Sequence, residues 1–308
     1  MGIHHATADD VIERCDRLAQ QSLRLRPGQS QLAAFDADGT LWGPDVAEIL
    51  WKRLIAERAL SPKAVAPLAR AIRGCGAEPA RDAYLDYATL EALHRSGDCS
   101  EETMARVMLQ GLAGITEDDL YLHAARATGL VTELQAADLA AAGKMLSALR
   151  EFGYRVIVVS ASPRWVVEVA VGPLGVSPED VIAGCVAVVD GVLTDGVLEP
   201  LPHGKGKVQA ILRRFGVVPR VALGNTLGDL PMLEATSHLR VLVNPTDDLV
   251  DACEGIRGTT WAMGLIGAPG VTSTSPARRV ASARIAGFAG AGDQPAGRPR
   301  PRRPSPQG

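Results

Sequence analysis

The sequence predicts an α/β protein, a doubly wound, Rossmann-like parallel sheet into which an all-helical segment is inserted. Three observations carry that expectation. Short apolar runs recur at Leu32–Phe35, Val156–Val159, Val221–Leu223 and Val241–Val243, each ending in polar residues, as buried strands of a parallel sheet do. Helix-like stretches separate the later runs, so that strand and helix alternate with right-handed crossovers. Between the first run and the second, from Asp45 to about Leu130, no convincing strand is present.

The elements follow in order. Val11, Ile12, Leu18 and Leu23 give an amphipathic helix over Ala8–Leu25, stopped by Pro27-Gly28, and the first strand follows at Leu32–Phe35. Helices are expected at Val46–Ala59, Pro62–Arg73, Ala80–Arg95, Glu101–Leu112 and Glu117–Ala127. Their breaks fall at Ser61-Pro62, Gly74–Gly76, Ser96-Gly97-Asp98 and Gly114. A long helix over Glu133–Glu151, ended by Gly153, leads to the second strand and Ser160. Trp165–Val171 is helical, and Asp190-Gly191 between Val186–Val189 and Val192–Thr194 signals a hairpin. Lys207–Phe215 is a helix, Val221–Leu223 ends at Gly224-Asn225-Thr226, Leu233 lies on a short helix, and Val241–Val243 ends at Asn244-Pro245.

Composition narrows the class. The chain has 308 residues and a formal charge of −3. Seven arginines against Asp293 give residues 271–308 a balance of +6, which leaves residues 1–270 at −9. That tail, rich in Pro, Gly, Ser and Arg, is too poor in apolar surface to fold, and an unselected solvated extension is its simplest reading. No nucleic-acid partner is expected outside it. No stretch reads as a secretory signal or a membrane span, and five scattered cysteines without CxxC spacing point to reduced thiols and the cytosol.

Chemistry concentrates where the apolar runs end, because parallel sheets bind ligands beyond the carboxyl ends of their strands. Asp36 and Asp38 lie two apart in an extended backbone and face one side, while Gly39 lets the chain turn away. Crowded carboxylates push one pKa up and leave the other ionised, which sets a nucleophile beside a proton donor. For such a pair in isolation an Asx-capped turn is the favoured reading, and the rest of the chain decides between the two. A calcium loop does not, since Leu41 and Ala47 stand where an EF-hand starting at Asp36 needs Gly and Glu. Ser160-Ala161-Ser162 precedes a helix start suited to an anion, or capped by Ser alone. Lys207 lies in GKGK, which is not a Walker loop because Val208 replaces the Ser or Thr. Asn225 and Asp229, four apart, can approach one cation, and Asp229 can also cap the helix begun at Leu230-Pro231.

Taken in order, DADGT at Asp36–Thr40, SAS at Ser160–Ser162, Lys207 and GNTLGD at Gly224–Asp229 resemble the four motifs of the haloacid dehalogenase (HAD) superfamily. More narrowly they resemble its phosphoserine-phosphatase-like branch, whose helical cap is inserted after the first motif. The resemblance covers about Leu32–Trp261. It implies an α/β core at residues 1–43 and 130–264, a helical cap at 44–129, and a disordered tail at 265–308. It also implies a magnesium-dependent phosphatase acting on a small phosphorylated metabolite, phosphoserine or a related amino- or hydroxyl-bearing compound. Asp36 would be the nucleophile that forms an aspartyl-phosphate and Asp38 the general acid/base. Thr40, Ser160, Ala161 and Lys207 would bind phosphate, and Asp36, Asp38, Asn225 and Asp229 would hold Mg2+. Asp45, nine residues after Asp36, matches the branch's acid facing the substrate amine, or else caps the first cap helix. Asn225 departs from the family's usual Asp, and a neutral ligand implies weaker magnesium affinity. A phosphotransferase and a phospholigand-binding regulator that has lost turnover are the alternatives.

Overall fold

A computed structural model of the protein describes residues 3–22, 31–134, 136–256 and 258–264. Its strands are β1 (His4–His5), β2 (Gln31–Phe35), β3 (Tyr154–Pro163), β4 (Val181–Gly184), β5 (Val186–Val189), β6 (Val192–Val197), β7 (Val221–Gly224), β8 (Leu239–Val243) and β9 (Thr259–Met263). The main sheet is parallel throughout, in the order β1-β9-β8-β7-β2-β3-β4. The first predicted strand, β2, is thus central, with β3 and β7 as its two neighbours.

The alternation of side chains along these strands explains why helices cover both faces. Ala33 and Phe35 of β2 and Val156 and Val158 of β3 point to one side, while Leu32, Ala34, Ile157 and Val159 point to the other. Helices α9 (Lys205–Phe215), α10 (Leu230–Ala235) and α11 (Asp247–Cys253) cover the second side through Ile211, Leu233 and Leu249. On the first side Val11 of α1 (Ala8–Ser22), Leu146 of α7 (Ala136–Glu151) and Val166 of α8 (Arg164–Val171) join the core.

Five helices lie between β2 and α7, namely α2 (Val46–Ala56), α3 (Val65–Gly74), α4 (Ala83–Ser96), α5 (Glu101–Gln110) and α6 (Glu117–Leu134). Their starts carry the expected caps: Asp45, Asp82 and Ser100 accept amides of α2, α4 and α5. Inside the insertion Trp51 stacks on Tyr87 with centroids 4.3 Å apart, and its indole N–H donates to the Met108 carbonyl at 3.1 Å. The β5–β6 hairpin turns at Asp190 and Gly191, both with positive φ, as a two-residue hairpin turn requires. Residues 114–117 run alongside β6, where the Leu193 amide donates to the Ile115 carbonyl at 2.9 Å and Gly114 donates to Leu193 at 2.8 Å. The hairpin therefore fastens the insertion to the chain that follows β4.

The structure departs from the sequence reading in places with clear causes. The helix expected to end at Ala127 continues to Leu134, because Gly129 costs a helix about 1 kcal/mol but does not stop it. The helix expected from Pro62 opens as a 3-10 turn over Pro62–Ala64 before α3 begins. Strands β1, β4 and β9 had no expectation: β1 is two histidines placed by backbone pairing, and the others are short runs beside Gly-rich turns. The expected tail, residues 265–308, lies outside the described residues, as do 23–30, where the first helix was expected to end.

The largest departure concerns β3, which runs to Pro163 instead of ending at Val159. Its register against β4 shifts between Ser160↔Ala183 and Pro163↔Gly184, so Ala161 and Ser162 form a bulge facing one step of the partner strand. A Cβ placed on Gly184 would lie 2.5 Å from the Ala161 carbonyl oxygen and 2.9 Å from Leu109 Cδ1 of α5. Gly184→Ala is accordingly expected to destabilise the protein by about 1–3 kcal/mol through overpacking, read as a lower urea midpoint at unchanged slope.

Candidate active site

The carboxyl ends of β7, β2 and β3 stand side by side, so three separate stretches of sequence meet at one edge. Asp36 follows β2 directly and stays in the ladder, its amide donating to the Leu223 carbonyl at 2.9 Å. The chain then turns tightly: Gly39 has φ +80°, its amide donates to the Trp42 carbonyl at 2.7 Å, and a Cβ at this position would collide with the Asn225 side chain. The glycine thereby lets the loop after β7 close on the loop after β2.

Lys207, in the first turn of α9, is buried and spends its three N–H donors within the site. Its Nζ lies 2.6 Å from Asp36 Oδ1, 2.5 Å from Asp229 Oδ1 and 3.0 Å from the Val159 carbonyl. Thr40 donates to the other Asp36 oxygen at 3.0 Å. Asp229 Oδ2 accepts the amides of Asn225 and Thr226 at 2.9 and 3.1 Å, which shapes the loop after β7. Burial opposes the Lys207 charge, but the Asp229 and Asp36 carboxylates outweigh it and hold the ammonium above its ordinary pKa.

Asp38 is held by a separate set of donors. Its Oδ1 accepts the Trp42 indole N–H at 2.8 Å and the Val46 amide at 2.9 Å, and its Oδ2 accepts the Ser162 hydroxyl at 2.7 Å. Burial pushes its pKa up to about 7 and the nearby Asp45 adds to the rise, while the hydrogen bonds oppose it. Burial also pushes Asp36 up to about 7, helped by Asp229 and resisted by Lys207. Three buried or half-buried carboxylates against one ammonium leave the site with excess negative charge.

Each residue expected at the site can be placed. Asp36, Thr40, Lys207 and Asp229 form one hydrogen-bonded cluster, and Asp38 with Ser162 forms a second beside it. Ser160, buried, accepts the Ser162 amide on its hydroxyl oxygen at 3.1 Å, and Ala161 lies in the bulge between them. Asp45 both caps α2, accepting the Glu48 amide at 2.9 Å, and stays open to solvent close to Asp38. Two contributors were missed. Ser162 was read only as part of a motif, and Trp42 was given no role. A tryptophan next to an acidic loop carries one usable signal, since a buried indole N–H needs an acceptor.

The donor set can be tested against a divalent cation. Among the described residues no three His, Cys, Asp or Glu side chains converge to hold a metal, and both Asp229 oxygens are engaged by Lys207 and main-chain amides. What the edge offers a cation is mixed: the Asp36 carboxylate, whose oxygens also serve Lys207 and Thr40, and the neutral side chain of Asn225 brought against Gly39. The excess negative charge favours a cation at this edge.

The haloacid dehalogenase-like hydrolase family model matches residues 33–234, which include all the residues named here. The chain belongs to that family. Its relatives include the phosphoserine phosphatase of Halobacterium salinarum, 26% identical over 239 residues that make up 76% of this chain and 96% of that protein. Among solved structures, a Bordetella pertussis Tohama I protein of unknown function has a TM-score of 0.56 at 20% identity, covering 76% of this chain and 98% of that one. A conserved protein of unknown function from Anaerococcus prevotii DSM 20548 has a TM-score of 0.59 at 14% identity, covering 84% and 92%. The chain is thus a hydrolase with the α/β fold expected, and the phosphatase reading of its motifs agrees with the Halobacterium salinarum relative.

For this HAD hydrolase the raised carboxyl pKa values set the pH dependence of stability. The folded values of about 7 for Asp36 and Asp38 exceed the ordinary 3.8, so between those limits the native state binds more protons than the unfolded chain. Stability measured by urea unfolding in a chelator is therefore expected to fall, by on the order of a few kcal/mol, as pH rises from about 4 to about 7. Glu101 and Glu199, held low by His203 and Arg106, act in the opposite sense only as pH drops below their ordinary 4.5. Asp38→Asn should flatten the decline.

Proposed function

We propose that the protein is a magnesium-dependent phosphatase that hydrolyses a small phosphate monoester through an aspartyl-phosphate on Asp36. The observation that carries this reading is the pairing of two differently held carboxyls at one strand end. Asp36 is gripped by Lys207 and Thr40, whereas Asp38 lies among neutral donors. A nucleophile needs its negative charge, and the adjacent ammonium favours that form of Asp36 against the rise that burial imposes. A general acid needs a pKa near neutrality, and burial among uncharged donors supplies that.

The residues then divide the reaction. An Asp36 oxygen attacks phosphorus, the bond from phosphorus to the ester oxygen breaks, and Asp38 gives its proton to the departing alkoxide. A water then attacks the same phosphorus and loses its proton to Asp38, and cleavage of the acyl phosphate returns the Asp36 carboxylate and releases phosphate. Lys207 places positive charge beside the reacting group throughout. The Ser160 oxygen accepts the Ser162 amide, and its hydroxyl proton remains to be donated to a phosphoryl oxygen. The Asp36 carboxylate, the Asp38 carbonyl and Asn225 would hold Mg2+, with Asp229 acting through water or through Lys207. When bound, the ion offsets charge on the phosphoryl oxygens.

In this reading the insertion, residues 44–129, is the cap that selects the leaving group over a core at 1–43 and 130–264. Solvent-open Asp45 beside Asp38 would meet an amino or hydroxyl group, as expected of phosphoserine or a similar small metabolite. The five cysteines are free, which fits a reducing compartment such as the cytosol.

A panel of phosphorylated amino acids, sugars and small alcohols, with p-nitrophenyl phosphate as a generic aryl ester, tests the proposal in magnesium. Phosphate release is expected from at least one alkyl ester and to fall by about a thousandfold or more in Asp36→Asn. Equal inertness of both proteins, with a phosphorylated ligand still bound, would overturn it. Asn225→Asp is expected to lower the magnesium concentration needed for half-maximal activity, roughly tenfold for one added ligand charge. An unshifted titration would remove Asn225 from the ligand set.

A further inference from the structure

Two of the three donors to Asp38 come from its own loop, and both act on Oδ1. The other oxygen accepts only Ser162, which arrives from a different strand 124 positions along the chain. Ser162 is buried, and its hydroxyl reaches across to the acid instead of capping α8, the helix that follows. It is there because β3 bulges. Without the extra step at Ala161 and Ser162, the strand pairing that Ser160 makes with Ala183 would continue straight, and a residue two positions past Ser160 would share its face. The bulge rests on Gly184, where a side chain would strike the Ala161 carbonyl.

We propose that Ser162 is a positioning residue for proton transfer: it fixes the second oxygen of Asp38, Oδ2, so that the carboxyl faces the leaving-group oxygen, and the β3 bulge serves to place it. The inference rests on the phosphatase reading and gives Ser162 a role of its own, beyond its place in the SAS stretch. With Oδ1 anchored by Trp42 and Val46, the Ser162 bond sets the plane of the carboxyl group. Its amide meanwhile orients the Ser160 hydroxyl, so one bulge aligns the acid and the phosphate clamp together.

Leaving groups of different acidity read this role. A nitrophenolate departs without a proton, whereas an alkoxide needs one, so only alkyl esters depend on a well-aimed acid. The kcat/KM value reports the steps up to departure of the alcohol, and it leaves out hydrolysis of the phosphoenzyme. We therefore compare kcat/KM for p-nitrophenyl phosphate with that for the alkyl monoester the panel selects. Ser162→Ala is expected to lower the alkyl-to-aryl ratio about tenfold, the scale of one hydrogen bond. Ser162→Thr, which keeps the hydroxyl, should restore the ratio. Should the alanine variant not fold, Ser162→Cys, with its weaker donor, is expected to lower the same ratio by a smaller factor.

Equal losses on both esters would mean that Ser162 merely supports the fold, and would overturn the inference while leaving the phosphatase reading intact. A wild-type protein inert towards every ester would overturn that reading and this inference with it.

Discussion

The ammonium of Lys207 is the interaction on which the rest of this site depends. It is buried between Asp36 and Asp229, with the Val159 carbonyl as third partner, and so ties the ends of β2, β3 and the loop after β7 to the first turn of α9. Four segments far apart in sequence converge on one nitrogen. Removing one member of such a cluster leaves a buried charge uncompensated, a cost of about 3–5 kcal/mol in comparable cases. The sheet would tolerate many changes in its apolar strands more easily than it would the loss of this contact. An arginine could not replace it, since a planar guanidinium cannot place its donors on three acceptors arranged around a point.

A second constraint follows from how the insertion is attached. Val46 opens α2, and its amide donates to Asp38, while Leu109 of α5 packs where a Gly184 side chain would stand. The helices between β2 and β3 therefore touch the site at the proposed acid and at the bulge that supports it. Asp45 lies at the same junction, capping α2 while remaining open to solvent. Substrate selection by the insertion and proton transfer by Asp38 would then share one piece of backbone, the stretch from Asp38 to Val46.

Much of this was legible in the sequence because its signals were local. Leu32–Phe35, Val156–Val159, Val221–Leu223 and Val241–Val243 all became strands of the predicted sheet, and Asp190-Gly191 became the predicted hairpin turn. The cluster of Asp36, Lys207 and Asp229 could be anticipated because each residue stands at a strand end or helix start. What escaped was non-local. The β3 bulge depends on pairing with β4, a strand only four residues long, and on a glycine over 20 residues away in sequence from Ser160. The role of Trp42 also depends on a fold-level fact, that its indole is buried facing Asp38. Periodicity reads which face a residue occupies, but not which partner waits on that face.

The neutral amide at position 225 can be understood from the charge balance of the same cluster. With Asp36 and Asp229 already sharing one ammonium and Asp38 close by, a further carboxylate beside Gly39 would add repulsion to a site that is crowded before any cation arrives. An asparagine can offer an oxygen to a cation without adding to that repulsion, and its amide packs against Gly39 in the structure as it stands. The exchange is between affinity and tolerance: a charged ligand binds a hard cation more tightly but makes the metal-free fold costlier, whereas a neutral one does the reverse. Under the proposed reading, Asn225 sets the site towards a preformed geometry that holds its shape through Lys207 and the Asp229–amide bonds, leaving the cation to bind late and release readily.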